Sequence, residues 1–143
     1  MHMLSKKKLF LIYFLTVILL PMILIACKQQ EYIKDRDLLY GVYWVDKYTY
    51  VGPALYLYPD GHGRFEYSGL ASDWPAGEYE ISGENLVLKD DFTDQIYTFK
   101  IDDSQLIFCA DKSAELYDYG DGTAEDGMIF VYSEELSEHY LSK

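Results

Sequence analysis

The sequence predicts an all-β fold, an antiparallel up-and-down barrel or sandwich of about eight strands, with a short helix at its C-terminal end. From residue 38 onward, apolar and polar residues alternate with a period of two. Residues that favour turns (Gly, Pro, Asp and Asn) recur about every ten positions between the alternating segments. Amphipathic helical segments, which would join the strands of a parallel sheet, do not separate these segments. Residues 38–143 are therefore expected to form one β-domain.

The hairpin of residues 54–68 is the clearest element of the pattern. Residues 54–58 alternate leucine with tyrosine, and residues 64–68 alternate aromatic with charged side chains. Between them, residues 59–63 (Pro-Asp-Gly-His-Gly) predict a turn, because proline fixes φ and glycine permits positive φ. A first strand is expected before this hairpin, within residues 38–46.

The later strands are separated by short polar turns. They are predicted at residues 77–82, 86–88, 96–100, 106–109 and 128–132. Ser133 is expected to cap a short helix that carries Leu136 and Tyr140 on its inner face.

Residues 38–110 resemble the small lipocalin-like domains of bacterial lipoproteins. The matching residues are Gly41 with Tyr43 and Trp44, Leu55-x-Leu57-x-x-Asp60-Gly61-x-Gly63-x-Phe65, Gly77-x-Tyr79-x-Ile81-x-Gly83-x-x-Leu86-x-Leu88, and Tyr97-x-Phe99-x-Ile101 with Leu106. The sequence departs from the lipocalin pattern because Trp44 lies three positions after Gly41 and Tyr43 fills the expected tryptophan position. The resemblance implies a barrel, and it leaves open whether the barrel encloses a ligand cavity or is filled by its own side chains.

Residues 1–26 have the pattern of a bacterial lipoprotein signal peptide. Three lysines at residues 6–8 precede an uncharged apolar run at residues 9–26. Residues 24–27 (Leu-Ile-Ala-Cys) resemble the lipobox of bacterial lipoproteins, which implies cleavage before Cys27 and diacylation of that cysteine. The alternative is an uncleaved membrane anchor helix with an incidental cysteine.

Either interpretation attaches the protein to a membrane. In the lipobox interpretation, residues 27–37 are the lipidated cysteine and a polar tether, and residues 38–143 are the domain that the tether holds. Since the lysines of residues 6–8 favour the cytoplasmic side, we expect the domain at the extracytoplasmic face of a bacterial membrane.

The charge of the chain restricts its partners. The 12 bases and 24 acids give a net charge of −12, and three of the bases precede Cys27. The rest of the chain is therefore more acidic than the total suggests, and such a surface is repelled by phosphate backbones. We expect no nucleic-acid partner. The two cysteines also exclude a disulfide framework.

No arrangement of residues for catalysis is recognisable, so the sequence predicts a protein that is not an enzyme. His62 lies in the glycine-flanked turn, and His139 lies near the C-terminus. Cys109 alternates with Phe108 on a strand and is expected to be buried and inert. No cofactor is expected, apart from the calcium ion considered next.

The acidic segment 111–127 is the candidate metal site. Its carboxylates and glycines would suit Ca²⁺, which prefers oxygen ligands on flexible loops, although the spacing does not fit an EF-hand. The candidate ligands are Asp118, Asp121, Glu125 and Asp126. A solvated acidic loop without a metal is the alternative.

Aromatic residues are the candidate binding residues. They are Trp44, Tyr56, Tyr58 and Trp74. If the leucines of residues 54–58 face the core, then Tyr56 and Tyr58 face outward and would form a contact platform. Trp74 lies on the loop of residues 69–75, where it either anchors a partner or plugs the end of the barrel.

These observations predict a non-enzymatic, membrane-anchored lipoprotein whose β-domain binds a small apolar ligand or a protein partner. The alternative is a protective or immunity-type protein of the cell envelope, whose acidic domain captures cationic peptides. An apolar interior cavity would favour the first function, and a filled core with an acidic face would favour the second.

Overall fold

The strands predicted from the sequence close into an eight-stranded antiparallel barrel in the computed structural model, which describes residues 38–47 and 52–141. The strands are β1 Gly41–Trp44, β2 Ala54–Leu57, β3 His62–Glu66, β4 Ala76–Ser82, β5 Asn85–Lys89, β6 Ile96–Asp102, β7 Gln105–Cys109 and β8 Ile129–Ser133. A short 3₁₀ turn at Ala110–Lys112 follows β7, and helix α1, Glu134–Leu141, follows β8. The prediction of a barrel is confirmed, and the sandwich alternative is not adopted. Residues 1–37, to which the predicted signal peptide, Cys27 and the predicted tether belong, lie outside the described residues.

Each strand pairs with the next strand in the chain, and β1 pairs with β8 to close the barrel. At the closure, Tyr43 lies opposite Tyr132, and their rings meet edge to face with centroids 5.7 Å apart. The connectivity is therefore that of an up-and-down barrel, in which no strand edge remains unpaired.

Aromatic side chains fill the interior. Phe65 lies at the centre of the group, with ring centroids 5.0 Å from Phe99, 5.3 Å from Phe108 and 6.0 Å from Phe130. All four phenylalanines are fully buried, as is Tyr43 near the closure. The alternation of the strands thus packs the barrel with its own side chains.

Gly63 and Gly77 allow neighbouring strands to pack closely, and the position of Gly63 differs from the one that the sequence predicted. Gly63 was expected in the turn, but it lies within β3, opposite Gly77 of β4. A Cβ atom at Gly77 would clash with the backbone carbonyl of Lys89, and one at Gly63 would lie 3.0 Å from the carbonyl of Tyr56. The positive φ of the turn belongs instead to Gly61, at 88°.

Helix α1 begins where the sequence predicted. The Ser133 side chain accepts a hydrogen bond from the Leu136 amide at 3.3 Å, which satisfies one amide of the first helical turn. The Ser137 hydroxyl accepts a hydrogen bond from the Val42 amide at 2.8 Å and so ties the helix to β1. Leu136 packs against the outward-facing side chains of β1 and β2, so α1 covers this part of the outer surface.

The two ends of the barrel differ in their connections. Because consecutive strands run in opposite directions, the connections β3–β4, β5–β6 and β7–β8 lie at the same end. The turns β2–β3, β4–β5 and β6–β7 lie at the other end and are short. The first end thus carries long connections, at residues 67–75, 90–95 and 110–128, and these build the candidate site.

Within the described ranges, no helix has the length and apolar character needed to cross a bilayer.

Candidate binding cleft

An open cleft of about 600 Å³ lies among the long connections. All three connections contribute to it, as does Tyr97 at the start of β6. Its principal side chains are Tyr67, Trp74, Phe92, Tyr97, Glu115 and Tyr117. The volume falls within the range of roughly 300–1,000 Å³ that is typical of ligand sites in proteins.

Trp74 forms one wall of the cleft. Its indole N–H donates a hydrogen bond to the carbonyl of Ser68 at 3.1 Å, and Ser68 itself is buried. The side chain keeps 36% of its surface exposed, so it is held in place without being inserted among the interior side chains. Trp74 thus lies on the cleft wall with part of its surface exposed, and its role as a partner anchor or as a plug of the barrel end stays a prediction.

Tyr97 and Tyr67 connect the cleft to the core. The buried Tyr97 ring packs on Phe65 at 5.8 Å, and its hydroxyl donates to the Gln95 side chain at 3.1 Å. Burial raises the pKa of Tyr97, and the charge of Asp90 adds to the effect. Burial, together with a hydrogen bond to Tyr119, raises the pKa of Tyr67 to about 12. Both phenols are therefore uncharged at neutral pH and present apolar rings with polar tips.

Asp90 fixes the shape of the β5–β6 connection. Its carboxylate accepts hydrogen bonds from the Ala76 amide at 3.2 Å, the Thr93 amide at 3.1 Å and the Thr93 hydroxyl at 2.5 Å. Burial opposes ionisation of this carboxyl, but these hydrogen bonds outweigh burial and lower the pKa of Asp90. Asp90 thus joins the start of β4 to the connection after β5 and holds two walls of the cleft together.

The cleft is acidic. Asp73, Asp90 and Glu115 line it, and among the described residues that line it there is no Lys, Arg or His. Asp90 is occupied by its own hydrogen bonds, whereas Asp73 and Glu115 are exposed and form no ion pair within the described part of the chain. The arrangement presents aromatic rings and two available carboxylates to solvent.

The other three aromatic candidates do not line the cleft: Trp44 lies on β1, Tyr56 lies on β2, and Tyr58 directly follows β2. Tyr56 faces outward as predicted, but only 5% of its surface is exposed, because Leu136 and Tyr140 of α1 pack over it. Trp44 and Tyr58 are half-buried against the same group of side chains. The expected exposed platform is therefore corrected. The alternation of residues along β2 predicted that Tyr56 faces outward, but it could not show that helix α1 covers this part of the outer surface of the barrel.

Arg64 occupies the remaining face of the Tyr56 ring. Its guanidinium lies 4.2 Å from the Tyr56 ring centroid and 5.8 Å from that of Trp74, and it pairs with Glu66 at 2.7 Å. The Tyr56 hydroxyl donates to Glu66 at 3.2 Å. Burial, and next the charge of Glu66, raise the pKa of Tyr56 to about 12. These contacts explain how a tyrosine on the outer face of the barrel is accommodated away from water.

The acidic segment is ordered by turns. Asp118 accepts a hydrogen bond from the Gly120 amide at 2.7 Å, and Asp126 accepts one from the Ala110 amide at 2.8 Å. Within residues 38–47 and 52–141, no three His, Cys, Asp or Glu side chains are placed to hold a metal ion together. The structure thus does not gather Asp118, Asp121, Glu125 and Asp126 into one site.

The candidates for reactive groups have ordinary surroundings. His62 is exposed, with its Nδ1 atom 3.5 Å from the Asp60 carboxylate. Cys109 was expected to be buried, but it is only partly buried and faces outward, because its neighbour Phe108 faces the core. Its thiol donates a weak hydrogen bond to the Ile107 carbonyl at 3.5 Å.

Most residues of the cleft were not recognised in the sequence, including Phe92, Tyr97 and Tyr117, and Glu115 was considered only as part of the acidic segment 111–127. They belong to three segments that are far apart in the chain, and no short motif joins them. One signal was present. In an up-and-down barrel alternate connections share an end, so the three longest connections after the first hairpin had to meet.

Comparison of the chain with known protein families, with curated proteins and with solved structures finds no significant match.

Proposed function

We propose that this protein is a non-enzymatic bacterial lipoprotein, anchored through Cys27 at the extracytoplasmic face of a membrane, whose β-domain binds a ligand or protein partner in the cleft at Trp74. The observation that carries the binding role is an open, aromatic cleft above an interior filled by its own side chains. A ligand enclosed by the barrel would have to displace fully buried phenylalanines. The cleft offers a concave site that a ligand can enter without displacing any of these buried side chains.

The anchor is supported by the pattern of residues 1–27. Two acyl chains on Cys27 would hold the protein stably, since each buried CH₂ contributes roughly 0.8 kcal/mol. Residues 28–37 would then act as a tether, and ten flexible residues span roughly 15–20 Å root-mean-square. The domain would stay close to the bilayer, while its acidic surface would keep it from lying on anionic lipid.

Metabolic labelling with an alkyne-tagged fatty acid tests the anchor. We expect label on the wild-type chain and none on Cys27→Ser. We also expect mass spectrometry of the wild-type protein to give the mass of a mature chain whose first residue is Cys27. Membrane association of Cys27→Ala at unchanged mass would instead support the plain anchor helix and contradict the lipoprotein proposal.

Native mass spectrometry of the full-length protein, purified gently in a non-ionic detergent, tests the binding role. We expect additional mass that disappears on denaturation, and a loss of that mass in Tyr117→Ala. Tyr140→Ala is the matched control, because Tyr140 is also exposed but lies on α1, away from the cleft. If the additional mass stayed unchanged in Tyr117→Ala but were lost in Tyr140→Ala, the ligand would bind outside the cleft, and the proposal of a binding cleft would be refuted.

A further inference from the structure

We propose that the cleft at Trp74 binds a cationic polypeptide segment by taking an arginine or lysine side chain between its aromatic rings. This inference rests on the proposed function, because it names the ligand class of the same cleft. It follows from the charge of the cleft, the aromatic groups beside that charge, and the exposed apolar side chains at its rim.

The charge of the cleft selects a cation. Asp73 and Glu115 supply two exposed carboxylates that form no ion pair within the described residues, and no base among those residues lines the cleft to compensate them. An anionic ligand would meet repulsion from both carboxylates, while a cation gains from each. The surplus of acids over bases in the whole chain strengthens the same selection at longer range.

The aromatic groups suit a cation with an apolar stem. Trp74, Tyr67 and Tyr117 line the cleft, and the face of an indole or phenol ring attracts a guanidinium or ammonium group within about 6 Å. The same protein already shows such contacts on its outer surface, where Arg64 lies over Tyr56 and approaches Trp74. Glu66 pairs with that guanidinium, so its charge is already compensated.

The rim of the cleft favours a polypeptide over a small free cation. Phe92 is 93% exposed and Tyr117 is 70% exposed, and both line the cleft. A small cation held between the rings would leave these side chains in water. A peptide that extends across the rim would cover them, and large exposed apolar side chains of this kind mark interaction surfaces.

Fluorescence titration provides the test, because the chain contains two tryptophans. In a Trp44→Phe background, Trp74 is the only tryptophan, and excitation at wavelengths where tyrosine does not absorb isolates its emission. Circular dichroism verifies the fold of each variant. The full-length protein in a non-ionic detergent is titrated with acetyl-Gly-Arg-Phe-Arg-Gly-amide. The reference ligand has citrulline in place of both arginines, which keeps the shape and removes the charge. Choline serves as the small free cation.

We expect the arginine peptide to bind at least tenfold more tightly than the citrulline peptide and than choline. Asp73→Asn combined with Glu115→Gln is expected to weaken binding of the arginine peptide at least fivefold. The matched control, Glu80→Gln with Glu84→Gln, makes the same charge change at exposed positions outside the cleft and is expected to change the affinity less than twofold.

Three results would overturn the inference. Equal affinity for the arginine and citrulline peptides would show a cleft that does not select charge, and the proposed binding function would stand. Binding of choline as tight as that of the peptide would assign a small cation as the ligand. If no probe binds and Tyr117→Ala also leaves the retained mass unchanged, both the inference and the proposed binding function fail.

Discussion

Replacing Phe99 with alanine tests whether the barrel interior is close-packed by its own side chains. Phe99 is fully buried, and its ring lies 5.0 Å from Phe65, 5.4 Å from Phe108 and 5.6 Å from Phe130. Phenylalanine-to-alanine changes in close-packed cores cost about 3–5 kcal/mol, through lost burial and the cavity that remains. Since three rings lose a partner at once, we expect a loss of about 4 kcal/mol in the free energy of unfolding.

Urea unfolding followed by far-ultraviolet circular dichroism measures this loss. With an m-value of about 2 kcal/mol/M, the midpoint should fall by about 2 M while the m-value stays unchanged. Phe92→Ala is the matched control, because it makes the same chemical change at a side chain that is 93% exposed. It should alter the free energy of unfolding by less than about 0.5 kcal/mol. If Phe99→Ala cost no more than Phe92→Ala, the interior would not be close-packed, and the argument against an interior ligand would fail.

Three further predictions concern the frame of the barrel. Gly77→Ala should lower the free energy of unfolding by about 1–3 kcal/mol or more, because the new Cβ meets the Lys89 carbonyl, and an unchanged melting temperature would contradict this close approach. Asp90→Asn should cost about 1–3 kcal/mol at neutral pH, as measured by urea unfolding. The lowered pKa of Asp90 means that its contribution is present above the unfolded-state pKa and is lost as the pH falls through the folded-state value, so the variant should show a weaker acid dependence of stability than the wild type. Burial raises the pKa of Tyr43 to about 12, so its contribution to stability is complete below pH 10 and is lost as the pH rises towards 12; Tyr43→Phe should lessen that alkaline loss in a series of melting temperatures.

The fold was predictable because alternate side chains of each strand face the barrel interior. In β6, for example, the buried Phe99 lies two residues from the buried Tyr97, and in β3 the buried Phe65 is flanked by the partly exposed Arg64 and Glu66, so the period of two fixed which side chains face the core. Closure into a barrel was not predictable in the same way. It depends on the pairing of β1 with β8, about 90 residues apart in the chain, and the alternation is the same in a sandwich.

The site was harder to predict than the fold. Trp74 was identified because a large aromatic side chain on a loop can anchor a partner or plug the barrel end, whereas Phe92 gave no local signal. Glu115 lay within the acidic segment 111–127, but that segment was interpreted as a metal site and not as part of a cleft. Tyr56 was placed on the correct face and still proved to be buried, since its exposure depends on where α1 docks. Alternation determines the face of a strand residue, whereas exposure and site membership depend on contacts between distant segments.

Chemical-shift mapping by ¹⁵N NMR shows directly whether a ligand binds in the cleft, outside the filled barrel. The full-length protein in a non-ionic detergent is titrated with acetyl-Gly-Arg-Phe-Arg-Gly-amide, and backbone amide shifts are followed residue by residue. The account predicts that the large shifts fall in residues 67–75, 90–97 and 114–119, with small shifts at Phe108 and Phe130. Large shifts centred on those inward-facing phenylalanines, or on α1, would contradict it.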